Sequence, residues 1–326
     1  MPMIRVTPIG FESLGVRSMC TFVETPDARV LIDAGVALGP RFGKLPHPRE
    51  YQARDACRAK IREYAAKADL VIVSHYHNDH HTPNYTETVW LGSSVEESEQ
   101  IYKDKLVLAK SIRDSINFSQ RRRGWMFQQF LKKIGATCKV ADGETAEFGA
   151  TKVRISLPVP HGDEGSGLGW VLMTTIETDD MRFIHSSDVQ GPVSKQTTRM
   201  IMKGQPSLLI LGGPPVYLEG SKVAKATIIS AIGNSSRIAS KVPTVIFDHH
   251  ILRPAEWRES AKSVFDAGAQ ESYRVTTAAE YAGQPPQLLE AVRRTLYEED
   301  PPSEAFLKWS KMKREKQRLE LPPMGN

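Results

Sequence analysis

Eight of the nine histidines in this 326-residue chain fall at or just after the ends of apolar runs that read as strands. They form four clusters: His75, His77, His80 and His81; His161; His185; and His249 with His250. Histidines kept only for packing would scatter, whereas metal donors must converge, because an ion needs several neutral imidazoles or carboxylates aimed at one point. The densest cluster, His75-x-His77-x-Asp79-His80, follows the run Val71-Ile72-Val73 after a single residue, Ser74. In extended chain, residues two apart share a side, so His75, His77 and Asp79 project together while His80 points elsewhere. Asp79 and His80 are then placed to serve a second ion, and the motif predicts two metals close together. Nitrogen and oxygen donors without thiolates suit zinc, with manganese or iron as alternatives. A pair of such ions brings the pKa of a bound water to about 7 and holds that hydroxide between them, which is the chemistry of ester-like bond hydrolysis. Serine or cysteine nucleophilic catalysis has no support, since no Gly-x-Ser-x-Gly is present.

The run His75-x-His77-x-Asp79-His80, with Asp33 before it and His161, Asp188 and His249 or His250 after it, resembles the five ordered motifs of the metallo-β-lactamase-fold hydrolases. The likeness extends over roughly residues 1–280, and the whole sequence is similar to an archaeal group of predicted hydrolases within that superfamily. The resemblance implies an α/β (α+β) fold, a four-layer αββα sandwich of two packed mixed sheets flanked by helices, with the metals at one edge. It gives His75, His77 and His161 to one ion, and Asp79, His80 and the late histidine to the other. Asp188 would bridge the two ions, and Asp33 would orient the ligand loop from behind. The pattern Asp248-His249-x-x-x-Arg253 is similar to the corresponding motif of the family's RNA-processing members. That likeness favours His249 as the ligand, frees His250 for substrate binding or proton transfer, and makes Arg253 a substrate contact. Asp79 and His250 are the expected catalytic pair. His185 reads as a hydrogen-bonding support behind the ligands or as a packed side chain, and His47, between Pro46 and Pro48, as a loop residue. His81 takes no role from the resemblance.

The elements that must position these residues follow from periodicity. Strands are expected over 4–9, 18–25, 29–32, 70–73, 151–158, 170–177, 182–185, 208–211, 244–247 and 273–277. Helices are expected over 49–68, 222–240 and 254–267, with a further helix starting at Thr82-Pro83. The stretch 95–133 is charged and amphipathic, and reads as two helices broken near Gly124, either a substrate lid or an outer layer. A glycine-rich loop occupies 162–169. The expected domain is 1–283, with 95–133 as a helical insertion and 284–326 as a charged helical C-terminal extension.

Hydrophobic residues make up 40% of the chain, enough for a full core. No apolar run approaches a membrane span, and Met1 to Val6 lacks the pattern of a secretory signal, so a cytoplasmic protein without a membrane partner is expected. Three widely spaced cysteines, Cys20, Cys57 and Cys138, fit a reducing compartment. The net charge of +5 and pI near 9.0 permit a nucleic-acid substrate as well as a small molecule. Basic residues concentrate at Arg121-Arg122-Arg123 beside Trp125 and in the tail 308–318. The favoured activity is phosphodiester cleavage, with lactone or thioester hydrolysis as the alternative. Readings of another class are a non-catalytic RNA-binding protein and a di-iron redox protein on the same fold.

Overall fold

The computed structural model describes residues 4–165, 167–318 and 320–324; Met1 to Met3 of the N-terminal reading and Ser166 of the glycine-rich loop lie outside the described residues. Two sheets form from consecutive stretches of chain. The first contains β1 (Arg5–Gly10), β2 (Cys20–Glu24), β3 (Arg29–Ile32), β4 (Leu70–Val73), β5 (Leu106–Ala109) and β6 (Thr137–Val140), paired in that order. Its first three strands are antiparallel, and β3 to β6 run parallel. Parallel neighbours need crossovers, supplied by α1 (Pro48–Lys67), α2 (Val95–Tyr102) and α3 (Phe118–Lys133).

The second stretch repeats this plan. Strands β7 (Thr145–Phe148) and β8 (Thr151–Ile155) lead to a short ribbon, β9 (Val159–Pro160) with β10 (Trp170–Val171). Next come β11 (Thr174–Glu177), β12 (Arg182–His185), β13 (Leu208–Gly212), β14 (Thr244–Asp248) and β15 (Arg274–Thr276). The seven-stranded sheet has the order β7-β8-β11-β12-β13-β14-β15, antiparallel as far as β12 and parallel beyond it. Its crossovers are α4 (Lys195–Gly204), α5 (Lys225–Ala239) and α6 (Trp257–Gln270).

The parallel strands are apolar on both faces because both faces are covered. Along β4, Leu70 and Ile72 pack between the sheets while Val71 and Val73 meet α1 and α3. Along β13, Leu208 and Ile210 enter that same middle layer, and Leu209 and Leu211 pack with Ile238 of α5 and Val264 of α6. Three apolar layers therefore separate helices, sheet, sheet and helices, the αββα sandwich expected. No helix among the described residues is long and apolar enough to cross a membrane.

Three local expectations are corrected. The stretch 95–133 contains a strand, β5, buried in the first sheet between β4 and β6, so it belongs to the core layer. A four-residue buried strand between two helices carries too little periodicity to be told from helix. Gly124 does not break α3, which runs through it; the glycine is there because a Cβ would come within 2.5 Å of the Tyr76 ring. No helix begins at Thr82-Pro83: Thr82 Oγ1 donates to Ala34 O and its N–H to Tyr102 Oη, and the chain stays irregular up to the Ser94 cap of α2.

The segment after β15 holds α7 (Ala278–Tyr281), α8 (Arg293–Glu299), α9 (Glu304–Ser310) and α10 (Arg314–Gln317), and it packs back on α1. Phe306 and Trp309 join the apolar layer around Tyr51, and Arg293 forms a buried two-pronged pair with Glu50 at 2.7 Å on each arm. His47 is more than a loop residue. It caps α1 in a capping box with Glu50, and its Nε2 lies 2.7 Å from Asp300 O.

Candidate metal centre

The expected ligands gather where β3, β4, β9, β12 and β14 end on a common edge. Rigid strand ends hold donors at fixed separation. Asp33, immediately after β3, takes a left-handed backbone (φ 53°). Its Oδ1 accepts from Ser74 N, and its Oδ2 from Ser74 Oγ and His80 Nδ1 at 2.8 Å. Asp33, His75 and His80 lie close enough together to be donors for one ion. Both Asp33 oxygens are engaged, however, so Asp33 orients His80 and leaves its Nε2 facing inward.

The motif after β4 is a turn rather than extended chain, with His80 N and His81 N both donating to His77 O. That turn corrects the expectation that His80 points away: its ring lies 4.1 Å from that of His75. Gly35 makes the turn possible, because a Cβ there would collide with the backbone of His80 and His81. His75 Nδ1 sits 3.0 Å from Ser74 Oγ, turning Nε2 into the site. His161, after β9, brings Nε2 to 3.1 Å from His77 Nδ1.

Asp188 stands at the centre. Its Oδ2 lies 3.3 Å from His161 Nε2, 3.3 Å from His249 Nε2 and 3.1 Å from His250 Nε2. Burial alone would raise its pKa, but the imidazoles of His161, His250 and His249 hold it well below the carboxylate range. The loop carrying it is fixed by His185, which contacts Met19 O through Nε2 and accepts from Ser187 N through Nδ1. Ser187 is itself left-handed (φ 56°) and donates to Ser74 Oγ, joining the Asp188 loop to the His75 loop.

His249 also has a left-handed backbone (φ 70°), held by its N–H donating to Asp248 Oδ1. Its Nδ1 lies 2.9 Å from Glu12 Oε2, which turns Nε2 toward Asp188. His250 points its Nδ1 at Tyr217 Oη, 3.2 Å away. Arg253, expected to meet substrate, is buried behind the site instead, donating to Glu12 Oε1 (2.9 and 2.6 Å) and to Tyr217 Oη (2.7 Å). His81 packs against Phe127 and contacts His77 O through Nδ1, away from the cluster.

Three groups of donors are thus assembled: His75, His77 and His161; Asp79, His80 and His249; and Asp188 with His249 and His250. Their chemistry fits divalent ions. Burial holds His75 and His77 well below the usual imidazole pKa, as neutral donors. His75 Nε2, His80 Nε2 and Asp188 Oδ1 are buried and have no hydrogen-bond partner among the described residues. Each such group costs about 1–3 kcal/mol unless something satisfies it. Asp79 also borders a cavity of about 440 Å³, which Arg17, Asn78, Tyr85, Trp90 and Arg318 line with it.

Sequence reading missed Glu12, Ser74 and Tyr217. Ser74 adjoins His75 but is not itself a metal donor, Glu12 and Tyr217 lie far from any histidine in sequence, and the Glu12–His249 pair spans 237 residues, so no local pattern marks it.

No family model matches the chain. A UPF0282 protein of Methanopyrus kandleri is 41% identical over 298 residues, covering 91% of this chain and all of the relative. Among solved structures, unliganded yeast PDE1 is similar with a TM-score of 0.51 at 12% identity, over 85% of this chain and 98% of that one. A possible metal-dependent hydrolase from Veillonella parvula is similar with a TM-score of 0.48 at 13% identity, over 84% of this chain and 95% of that one.

Proposed function

This chain belongs to the UPF0282 family and has the metallo-β-lactamase fold, and on that premise we propose that it is a two-metal hydrolase of ester-like bonds, phosphodiesters first. The observation that carries the reading is the convergence of His75, His77, Asp79, His80, His161, Asp188 and His249 on one sheet edge beside an open cavity. His75, His77 and His161 would hold one ion, Asp79, His80 and His249 the other, with Asp188 between them. Zinc is the first candidate on donor type, and manganese and iron belong in the same trial. When bound, such ions supply a water of lowered pKa and positive charge against a developing oxyanion.

The chain's own groups do the rest. Asp33 and Glu12 fix the tautomers of His80 and His249 from behind. Burial and the nearby Arg253 bring His250 down to a pKa of about 4, so it is neutral at pH 7. In that state Tyr217 donates to Nδ1, and the Nε2–H beside Asp188 is a hydrogen-bond donor placed to bind and orient a substrate oxygen. Arg318 at the cavity, with Arg123 half-buried against Tyr76 O, favours an anionic substrate over a neutral lactone or thioester.

The test pairs metal analysis with a substrate panel. Protein reconstituted with zinc, manganese or iron should bind close to two ions and cleave bis(p-nitrophenyl) phosphate faster than phosphomonoester, lactone or thioester substrates. His77→Ala should lower metal content and abolish turnover. Unaltered metal content in that variant would sink the proposal.

A further inference from the structure

From Ser115 to Ala141 the chain carries Arg121, Arg122, Arg123, Lys132, Lys133 and Lys139 and no carboxylate, against a net charge of +5 for the whole protein. Most of this stretch is α3, and the helix uses its two sides differently. On the inner side Gln120 joins both ligand loops: its Oε1 accepts from Tyr76 N, between His75 and His77, and its Nε2 donates to Leu168 O, in the loop after His161. Arg123 donates to Tyr76 O, and Phe127, Phe130 and Leu131 fill the apolar layer below.

On the outer side Phe118, Arg121, Arg122, Trp125 and Met126 recur at helical spacing in solvent, with Phe118 82% and Trp125 56% exposed. Phe118 and Trp125 are seven residues apart, so they share a face at about 10 Å separation with arginines between them. A packing role does not account for two exposed aromatic rings interleaved with arginines. Flat rings offer stacking platforms for bases, and guanidinium forks match phosphate oxygens.

We propose that this face of α3 is a docking surface for a single-stranded polynucleotide, which it delivers to the metal centre its inner side clamps. The inference rests on the phosphodiester reading above and names the substrate class. Charge complementarity argues for the occupant: a helix face with arginines between exposed rings, on a run of chain without carboxylates, suits a flexible chain of phosphates and unstacked bases. A duplex keeps its bases stacked away from such rings. An anionic membrane would call for a broader apolar face than two rings and a methionine provide.

The test measures binding apart from turnover, by fluorescence anisotropy of a fluorescein-labelled oligouridylate and of an oligothymidylate on the full chain carrying His77→Ala. Binding should weaken as salt rises, and Arg121→Ala or Arg122→Ala should each lower the slope of log K against log salt by about 0.7. Trp125→Ala should weaken binding roughly 5- to 150-fold, the range that one stacked base is worth. Lys262→Ala, on the exposed side of α6, should change neither quantity. No binding at low salt, equal effects from Lys262→Ala, preference for duplex, or competition by phosphatidylserine vesicles instead would each overturn the proposal. Absent binding with intact hydrolysis of bis(p-nitrophenyl) phosphate by the unmodified chain counts against this surface alone. Intact binding with no such hydrolysis counts against the hydrolase reading alone.

Discussion

Replacing Glu12 should weaken one ion and spare the other. Its carboxylate is 5% exposed and divided between two tasks, with Oε2 facing His249 Nδ1 at 2.9 Å and Oε1 taking two hydrogen bonds from Arg253. In Glu12→Gln only one end of the side chain still accepts. Either His249 loses the group that fixes its tautomer, or the guanidinium of Arg253 meets an amide N–H. Loss of such an outer partner typically costs 10- to 100-fold in metal affinity, about 1.4–2.8 kcal/mol. The penalty should fall on the ion sharing His249 with Asp79 and His80, because no ligand of the His75, His77 and His161 group touches Glu12. Glu12→Ala should add a second cost of about 3–5 kcal/mol in folding stability, since Arg253, 3% exposed, keeps its charge without its carboxylate. Stepwise zinc titration against a competing chelator resolves the two affinities, and urea unfolding of the apo protein reads the stability. Two unchanged affinities in both variants, or equal losses for both ions, would refute the reasoning.

Glu290 provides a pH test. Burial would raise its pKa, but Arg17, at 2.6 Å, brings it from the ordinary 4.5 down to about 2. Stability from a carboxyl depressed in this way is complete above pH 4.5 and lost as pH falls toward 2, and a shift of that size is worth about 3 kcal/mol. Glu290→Gln should therefore be less stable than the parent at pH 7 by about that amount, with the gap in urea midpoint closing toward pH 2; a gap independent of pH would count against the pairing. Gly124→Ala would gain about 1 kcal/mol in an exposed helix, yet here the new Cβ meets Tyr76 and Ile112 at 2.5 and 2.7 Å. A net loss of about 1–3 kcal/mol is expected by thermal melting, and a raised Tm would contradict that packing. Phe306→Ala should cost about 3–5 kcal/mol and lower the single unfolding transition, because α9 is packed on α1; an unchanged midpoint would mean that the segment after residue 284 folds separately.

What could be read from the sequence was whatever is local. Strands such as Leu70–Val73 and Thr244–Asp248 announce themselves as short apolar runs, and every proposed ligand sits within a few residues of one. Extended chain would put His80 away from His75, whereas the turn closed on His77 O depends on Gly35, forty-five residues before His80. Strand β5 escaped notice because four residues between two amphipathic helices show no distinct period. In the sequence, the likeness of Asp248-His249-x-x-x-Arg253 to a family motif makes Arg253 a substrate contact. Its true direction is set by Glu12, and spacing holds no information about a partner at the far end of the chain.

The two sheets are built from consecutive stretches of chain, and the first two donor groups each draw on both: His75 and His77 on one side with His161 on the other, and Asp79 and His80 with His249. An ion held by either group is therefore a clasp across the apolar layer between the sheets. Its occupancy adds to the cohesion of that layer in proportion to the logarithm of free ion over Kd. The same linkage runs in reverse. A cavity cut at Ile72 or Ile210 in that layer lowers folding stability, and the apparent ion affinity falls only by the fraction of chain that remains folded. Ions bound at these groups would return to a weakened middle layer part of the stability that such a cavity removes.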